Sequence, residues 1–189
     1  LKVGMKKKKY PKIIDRRQTK LSKWVTVIER DILFPDCDKH ETYHSVKPFD
    51  YVSILALTSD QRIPLVKQYR PILEKESLEL PGGLVDSSKS PEETALLELR
   101  EETGLVVSSV QPIGVLNPDP GRLENRFFCY FSPNAKIDTS ATIESGIELV
   151  WTDLPRLREM ILDGRFNSSP QISLIALASF RGLIDGLMP

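Results

Sequence analysis

The sequence predicts an α/β fold in which helices pack on both faces of a mixed β-sheet, an α/β/α sandwich. Two observations carry this prediction. Apolar runs with the composition of β-strands precede and follow one sharply delimited helix at 91–103, and two further helical patterns end the chain. Strands around a central helix, followed by helices, favour this layering. With 189 residues, 40% of them hydrophobic and 28% charged, the chain fits about one globular domain.

The N-terminal quarter of the chain divides into two segments. Residues 1–22 are basic and are predicted to form an irregular tail. Residues 23–48 contain two runs rich in β-branched and aromatic residues, WVTVIERDILF and ETYHSV, on either side of a Pro/Asp turn. We therefore expect a β unit at 23–48 that forms a small sheet of its own, and a main domain at 49–189.

The strands of the main domain are predicted from apolar runs that turns separate. Tyr51–Leu57 (YVSILAL) is almost continuously apolar, as in a strand that is buried on both faces. Pro71 ends the next run, and the run after it leads into a turn at the glycine pair Gly82–Gly83. The remaining strands are predicted at 63–69, 77–80, 106–116, 126–132 and 146–151.

The central helix has clear start and stop signals. Ser90 is a candidate N-cap, Pro91 suits the first helical position, and Glu93 completes a capping box. Gly104 stands where a left-handed residue would end a helix of this length. Two amphipathic patterns predict the later helices, one from near Asp153 to Gly164 and one after a cap at Ser169, with Ile172, Ile175, Ala176 and Ser179 along its stripe.

Three carboxylates crowd one face of the central helix. Glu98, Glu101 and Glu102 are spaced i, i+3 and i+4, so their like charges repel. A divalent cation would turn this repulsion into attraction, and oxygen-only ligands suit Mg²⁺ or Mn²⁺ better than zinc. An ordinary solvated glutamate face is the alternative interpretation.

The stretch from Leu80 to Leu105 resembles the Nudix box, Gly-x5-Glu-x7-Arg-Glu-U-x-Glu-Glu-x-Gly-U, where U is a bulky aliphatic residue. The chain departs from this motif at two positions, with Lys89 in place of the loop glutamate and Leu97 in place of the arginine. The resemblance covers about Trp24 to Phe180 and implies the α/β/α architecture. The matching positions are Gly83, Glu98, Leu99, Glu101, Glu102, Gly104 and Leu105.

This resemblance implies metal-assisted hydrolysis of a nucleoside diphosphate that is linked to a second group. Mg²⁺ is the implied cofactor, with Mn²⁺ as an alternative. The implied metal ligands are the three helix glutamates, the backbone carbonyl of Gly82 and the side chain of Glu79. Metal ions would neutralise the anionic diphosphate and activate water for attack. Loss of the motif's arginine and loop glutamate would weaken the site, or leave Lys89 as a replacement cation.

A second set of residues resembles the ADP-ribose pyrophosphatase branch of that family. Pro120 lies fifteen residues after the box and, with Gly121, matches a Pro-Gly loop close to the substrate, and Glu124 matches an acidic residue that follows it. Arg70 is the implied phosphate clamp, because a guanidinium offers paired donors to phosphate oxygens. The alternative for Arg70 and Glu79 is an exposed strand end with an ion pair. The resemblance therefore implies ADP-ribose as the substrate, hydrolysed to AMP and ribose 5-phosphate.

The same branch implies roles for aromatic residues of the β unit at 23–48. Trp24 and Tyr43 match positions where related enzymes sandwich the adenine between rings from the two subunits of a domain-swapped homodimer. The β unit would then be a dimerisation element. Equally, both rings could be ordinary core or interface aromatics. The implied general base is a late glutamate, Glu144 or Glu148, and Glu144 is favoured because Glu148 alternates as a strand residue should.

Composition limits the other classes of partner. The net charge of +0 argues against a nucleic-acid binder, and no apolar stretch approaches the ~18 residues that a membrane span requires. Cys37 and Cys129 lack the spacing of metal ligands. Because two cysteines in a chain of this size form no disulfide framework, they indicate a reducing compartment, and the cytosol is expected. Two alternatives to an ADP-ribose hydrolase stay open. They are a hydrolase of another nucleoside diphosphate derivative, and a weakly active or non-catalytic module that binds ADP-ribose or a protein partner.

Overall fold

The computed structural model describes residues 10–35, 39–86 and 88–186, and it confirms the α/β class. Among these residues, no helix is long and apolar enough to cross a membrane. The strands are β1 (Lys12–Lys20), β2 (Thr26–Phe34), β3 (Lys39–Lys47), β4 (Tyr51–Thr58), β5 (Ile63–Arg70), β6 (Lys75–Glu79), β7 (Gly82–Leu84), β8 (Leu105–Val106), β9 (Gln111–Leu116), β10 (Phe127–Ile137) and β11 (Ile147–Thr152), and the helices are α1 (Pro91–Thr103), α2 (Leu154–Leu162) and α3 (Ser169–Phe180).

The chain forms two compact units. The N-terminal unit contains the residues up to Phe49 together with the later segment Asp119–Asn125, and the second unit contains the rest. In the N-terminal unit, β1, β2 and β3 form an antiparallel sheet in that order. Two backbone hydrogen bonds fasten the later segment to β3, from Val46 N–H to Arg122 O at 2.8 Å and from Glu124 N–H to Val46 O at 3.0 Å.

The prediction of an irregular segment at 1–22 is wrong for Lys12–Lys20, which forms β1. Every residue of this strand is exposed, and most are charged or polar, so the strand lacks the alternating apolar pattern of a half-buried strand. The backbone ladder to β2 holds it, together with the ion pairs of Arg17 with Glu29 and Asp31 of β2. The turn predicted around Asp36 to Asp38 lies outside the described residues.

The second unit, which we call the main unit, contains a mixed sheet. Its strands run in the order β7, β4, β10 and β8, and β9 also pairs with β10. The central pair β4 and β10 is parallel, whereas the other pairs of this sheet are antiparallel. A smaller antiparallel sheet of β11, β5 and β6 belongs to the same unit. The predicted mixed sheet is confirmed.

Strand β4 shows why the main unit is layered. Its side chains at Val52, Ile54 and Ala56 pack with Ala95 and Leu99 of α1, and all five are almost completely buried. The intervening apolar residues of β4 join a second core cluster, which includes α2 and α3. Successive side chains of a strand point to opposite faces, so α1 covers one face and the later helices the other. The sandwich is therefore confirmed within this unit.

The predicted ends of α1 are confirmed. Glu93 N–H donates to Ser90 Oγ at 3.1 Å, and Ser90 N–H donates to Glu93 Oε2 at 2.7 Å, so the capping box is complete. Gly104 has a φ of 69°, the left-handed conformation that glycine adopts without steric cost, and its N–H donates to Arg100 O at 2.9 Å. These caps fix where α1 begins, and therefore where its glutamates project.

The later helices differ slightly from the prediction. Asp153 caps α2 as expected, since its side chain accepts from Arg156 N–H at 2.8 Å. The N-cap of α3 is Ser168, one residue before the predicted cap. The predicted stripe of α3 is confirmed at Ile175, which is buried, and at Ile172, which packs half-buried against the same core, but not at Ala176 and Ser179. The fully buried residues of the helix are Gln171, Leu174, Ile175 and Ala178. A buried glutamine marks that face of the helix, and the apolar pattern alone could not reveal it.

The thiol of Cys129 is completely buried in β10, and burial raises its pKa to about 12. Because the thiolate is the reactive form, we expect Cys129 to resist iodoacetamide in the folded protein at pH 8 and to react fully in urea. Peptide mapping by mass spectrometry distinguishes Cys129 from Cys37, which lies outside the described residues. Equal labelling of Cys129 with and without urea would contradict this expectation.

Candidate functional site

A polar cleft of about 310 Å³ opens in the main unit beside the first residues of β4. Its lining includes five residues or positions that the sequence predicted for the site. Strand β5 supplies Arg70, β6 supplies Glu79, β7 supplies Gly82, and α1 supplies Glu98 and Glu102. Residues from four separate elements therefore converge on one cleft.

Glu102 is the most deeply buried of the helix glutamates, with an exposed fraction of 4%. Its Oε2 accepts a hydrogen bond from Gly82 N–H at 2.8 Å, which ties α1 to the glycine pair. Burial raises the pKa of Glu102 to about 8, and the nearby charges of Glu98, Glu144 and Glu79 add to this effect. The Gly82 N–H opposes it only in part. The positive charge that acts on this carboxylate is that of Arg70, which is itself hydrogen-bonded to Glu79.

Glu98 lies next to Glu102 and is under similar electrostatic stress. Burial raises its pKa, the charges of Glu101 and Glu144 raise it further, and Lys89 offsets a part. The glycine pair leaves room for this carboxylate, because a Cβ on Gly83 would overlap it. A side chain at position 83 would therefore displace Glu98 from the cleft.

The donor atoms of the cleft fit a hard divalent cation. Over the described ranges, no three His, Cys, Asp or Glu side chains already stand in metal-coordinating geometry. The glutamates are nevertheless close enough to raise one another's pKa, and all of their donor atoms are oxygens. A bound cation would remove that repulsion, and oxygen donors are those that Mg²⁺ and Mn²⁺ prefer. The residues present therefore fit the implied metal.

Gln171 of α3 anchors the backbone that leads into the glycine pair. Leu80 N–H donates to Gln171 Oε1 at 2.8 Å, and Gln171 Nε2 donates to Leu80 O and to Ser53 Oγ, both at 3.2 Å. All three residues are almost completely buried. The sequence analysis missed Gln171. Its partner Ser53 was visible as a polar interruption of the apolar run YVSILAL, but a helix residue about ninety positions from Leu80 had no local signal.

Arg70 and Glu79 are paired with each other. Arg70 Nε donates to Glu79 Oε1 at 2.8 Å, and Arg70 Nη2 donates to Glu79 Oε2 at 2.7 Å. This bidentate pair raises the pKa of Arg70. The sequence predicted that Arg70 would bind phosphate and Glu79 a metal or water network. In the structure, each of these side chains is held by the other.

The two candidates for the general base lie in different surroundings. Glu144 N–H donates to the carbonyl of Glu101 at 2.8 Å, so its backbone is anchored to the end of α1, and its charge contributes to the raised pKa of Glu98 and Glu102. Glu148 is a β11 residue whose carboxylate pairs with Lys67 Nζ at 2.9 Å. Of these two candidates, Glu144 is therefore the one whose charge raises the pKa of the cleft glutamates.

The two departures from the box, Lys89 and Leu97, line the same groove beside α1. Lys89 lies before α1, and its positive charge helps to lower the pKa of Asp86 and Glu93 as well as acting on Glu98. For Asp86 the larger cause is hydrogen bonding from Ser88, and for Glu93 hydrogen bonding from Ser90. Leu97 is half-buried in the same groove and carries no charge. Lys89 thus supplies some positive charge, and Leu97 supplies none.

Glu101 of α1 is exposed and is not among the residues that line the cleft. The other predicted residues belong to the N-terminal unit. Trp24 and Tyr43 are each half exposed, with Trp24 packed edge-on against Phe49 and Tyr43 near Phe34, so the two rings do not pair with each other. Lys23 Nζ lies over the Trp24 ring, 4.4 Å from its centre, and contact of either ring with a substrate stays a prediction.

The Pro120 loop is held by its own hydrogen bonds. Gly121 N–H donates to Asp119 Oδ1 at 3.0 Å. Glu124, the predicted acidic residue, forms an ion pair with Arg30 at 2.5 Å and accepts a short hydrogen bond from Ser45. In the N-terminal unit, Glu124 therefore fastens the loop to the sheet, and its contact with a substrate also stays a prediction.

Comparison with known proteins gives a consistent result. The family model for the NUDIX domain matches residues 47–172, more than half of the chain. The ADP-ribose pyrophosphatase of Bacillus subtilis is 34% identical over 110 residues, which are 58% of this chain and 59% of that protein. A CMP-5'-(N-acetyl-N-hydroxy-3-aminopropyl)phosphonate hydrolase of Streptomyces rubellomurinus is 28% identical over 85% of this chain and 79% of its own length.

The mouse ADP-sugar pyrophosphatase is 32% identical over 52% of this chain and 50% of its own length. The chain thus spans between half and three fifths of two of these three relatives. Among solved structures, an ADP compounds hydrolase superposes with a TM-score of 0.80, covering 95% of this chain and 100% of that one at 21% identity. At that identity the structural likeness establishes the fold.

Proposed function

Since the chain belongs to the NUDIX domain family, we propose that it is a divalent-cation-dependent hydrolase of the diphosphate bond in nucleoside diphosphate sugars. The observation that carries this proposal is the set of buried, mutually repelling glutamates in the cleft, with the pKa of Glu102 raised to about 8. Such a cluster is costly for the protein alone and becomes favourable around a cation. A structural glutamate face would be solvated and would lack this cost.

The reaction adds water across the P–O–P linkage. The water oxygen bonds to one phosphorus, the bridging P–O bond breaks, and the leaving phosphate takes the electron pair. Glu98, Glu101, Glu102 and the carbonyl of Gly82 would hold the cations, which when bound supply positive charge against the diphosphate and acidify water. Glu144 would accept the proton of the attacking water on its carboxylate. Its anchoring to the Glu101 carbonyl keeps it near α1.

ADP-ribose is the proposed substrate, with AMP and ribose 5-phosphate as products, and Mg²⁺ is the proposed cation. This substrate is supported by the similarity of the chain to two relatives that are named for ADP-ribose and ADP-sugars. Arg70 in the cleft and the Pro120–Gly121 loop support it as well. The predicted homodimer, the stacking of adenine on Trp24 and Tyr43, and the cytosolic location stay predictions.

The proposal is tested by offering the purified protein ADP-ribose, ADP-glucose, UDP-glucose, GDP-mannose and a dinucleotide, each with Mg²⁺ or Mn²⁺. We expect release of AMP from ADP-ribose at the highest rate. Glu101→Gln should lower that rate, whereas Glu92→Gln, an exposed glutamate in the first turn of the same helix, should not.

Two results would contradict the proposal. Preferred cleavage of a UDP- or GDP-sugar would overturn the proposal that ADP-ribose is the substrate. No turnover with any compound would overturn the proposal that the protein is an enzyme. The second result, together with measurable binding of ADP-ribose, would identify a binding module. Lys89 and Leu97 are the observations that favour that alternative, since loss of a residue that orients metal ligands costs about 10- to 100-fold in affinity or activity.

A further inference from the structure

The ion pair between Arg70 and Glu79 has a feature that its neighbours on the sheet lack. Both side chains line the cleft, and both also line a second cleft of about 640 Å³ on their other side. The ion pair therefore forms part of the wall between the two clefts. Glu79 is largely buried, with 13% of its side chain exposed, whereas 43% of the Arg70 side chain is exposed.

Each partner has a second possible ligand of the same chemistry. A guanidinium binds a carboxylate and a phosphate through the same paired N–H donors, so a diphosphate in the cleft competes with Glu79 for Arg70. A carboxylate binds a cation whether that cation is a guanidinium or a divalent metal, so a metal in the cleft competes with Arg70 for Glu79. Both donors of Arg70 that face Glu79 are engaged, so the pair must open before either exchange is complete.

We propose that the Arg70–Glu79 pair is a latch that couples cation binding to diphosphate binding. A divalent cation that takes Glu79 releases Arg70 for the phosphates, and a diphosphate that takes Arg70 releases Glu79 for the cation. This inference rests on the proposed function for the identity of the two ligands. Coupling of this kind is reciprocal, so each ligand must raise the affinity for the other by the same factor.

The surroundings favour this exchange over a permanently closed pair. Arg70 is exposed enough to leave the carboxylate without burying an unpaired charge, since a half-exposed ion pair is held only weakly against solvent. Glu79 in turn lies close enough to Glu102 to raise its pKa, so the carboxylate that Arg70 releases is already within reach of the other cleft glutamates. Glu79 and Arg70 thus hold each other in place until the ligands bind.

The latch is tested by binding measurements without turnover. Isothermal titration calorimetry in EDTA would measure the affinity for inorganic pyrophosphate of the wild type, Glu79→Gln, Arg70→Gln and the double variant. We expect Glu79→Gln to bind about five- to tenfold more tightly than the wild type, within the usual range of coupling between sites, because Arg70 is then free. In the Arg70→Gln background the same substitution should change affinity less than about twofold, since a double-mutant cycle isolates the pair.

A matched control is available on the same strands. Glu76→Gln breaks the ion pair of Glu76 with Lys67, at 3.2 Å, which lies outside the cleft, and it should leave pyrophosphate affinity unchanged. An equal gain from Glu79→Gln in both backgrounds would overturn the latch and leave a simple charge effect. No gain, or no measurable binding by Glu79→Gln, would overturn it as well. Because no cation or hydrolysis is involved, failure of the proposed function leaves this result intact.

A second arm tests the reciprocal direction. Titration of Mn²⁺ alone should show tighter binding to Arg70→Gln than to the wild type, because Glu79 no longer has a partner. The gain should disappear in the double variant. Unchanged Mn²⁺ affinity in Arg70→Gln would overturn the latch even if the pyrophosphate result held, since coupling must act in both directions.

Discussion

Glu102→Gln is expected to stabilise the metal-free protein at pH 8 while destroying its catalytic site. The folded pKa of Glu102 is about 8 against an ordinary value of 4.5, mainly because of burial. As the pH rises from about 4.5 to 8, the unfolded chain loses this proton and the folded chain keeps it. The free energy of unfolding therefore falls over that window, by on the order of a few kcal/mol. Glutamine does not titrate, so the variant escapes this loss.

Urea unfolding in EDTA at pH 5 and pH 8 measures the effect. The wild type should lose stability between the two values, and Glu102→Gln should lose much less. Glu92→Gln, exposed in the first turn of α1, should follow the wild type. Parallel behaviour of the wild type and Glu102→Gln would show that burial does not hold this carboxyl protonated.

With a divalent cation the same substitution should act in the opposite direction. Ligands that bind only the folded state stabilise it, so Mg²⁺ should raise the melting temperature of the wild type and raise that of Glu102→Gln much less. Turnover should fall by more than about a hundredfold, which exceeds the usual cost of losing an outer partner of a metal ligand. A site that costs stability until its ligand binds is a common trade between stability and activity.

Features with local causes were predictable from the sequence. The ends of α1 depend on residues within one turn of each end, so Ser90, Glu93 and Gly104 were sufficient to place them. The position of the glutamates on that helix follows from its periodicity. The assembly of Glu98, Glu102 and the glycine pair in one cleft was accessible only through the resemblance to a known motif, because four separate elements meet there.

Features that depend on distant partners were not predictable. The exposed, charged strand β1 exists because β2 pairs with it. The glycine pair, expected as a turn, forms strand β7 because Gly82 and Gly83 lie opposite Ser53 and Val52 of β4. The ion pair between Arg70 and Glu79 also depends on a distant contact, the β5–β6 hairpin, and the sequence indicated it only as the alternative to a ligand for each residue.

Gln171 is the residue where these long-range contacts have the largest expected effect on stability. Gln171→Leu keeps a similar volume but removes every partner of Leu80 N–H and of the Ser53 hydroxyl that the side chain supplies. Since each buried polar group left unsatisfied costs about 1–3 kcal/mol, we expect a loss of at least about 2 kcal/mol in urea unfolding. Ser173→Ala, which removes an exposed hydroxyl from the same helix, should cost little.

The same variant should also impair the site, because Gln171 fixes Leu80 two residues before Gly82. Steady-state kinetics at 10 °C, where the variant is still folded, should show a lower kcat with a smaller change in KM, as expected when catalytic groups are misplaced. Gln171→Glu is the informative comparison: its protonated carboxyl can accept from Leu80 N–H and donate to Leu80 O, but its buried carboxylate cannot donate, so stability should be restored more at pH 5 than at pH 8. If Gln171→Leu lost stability with unchanged kcat, the clamp on Leu80 would hold the fold without positioning the glycine pair.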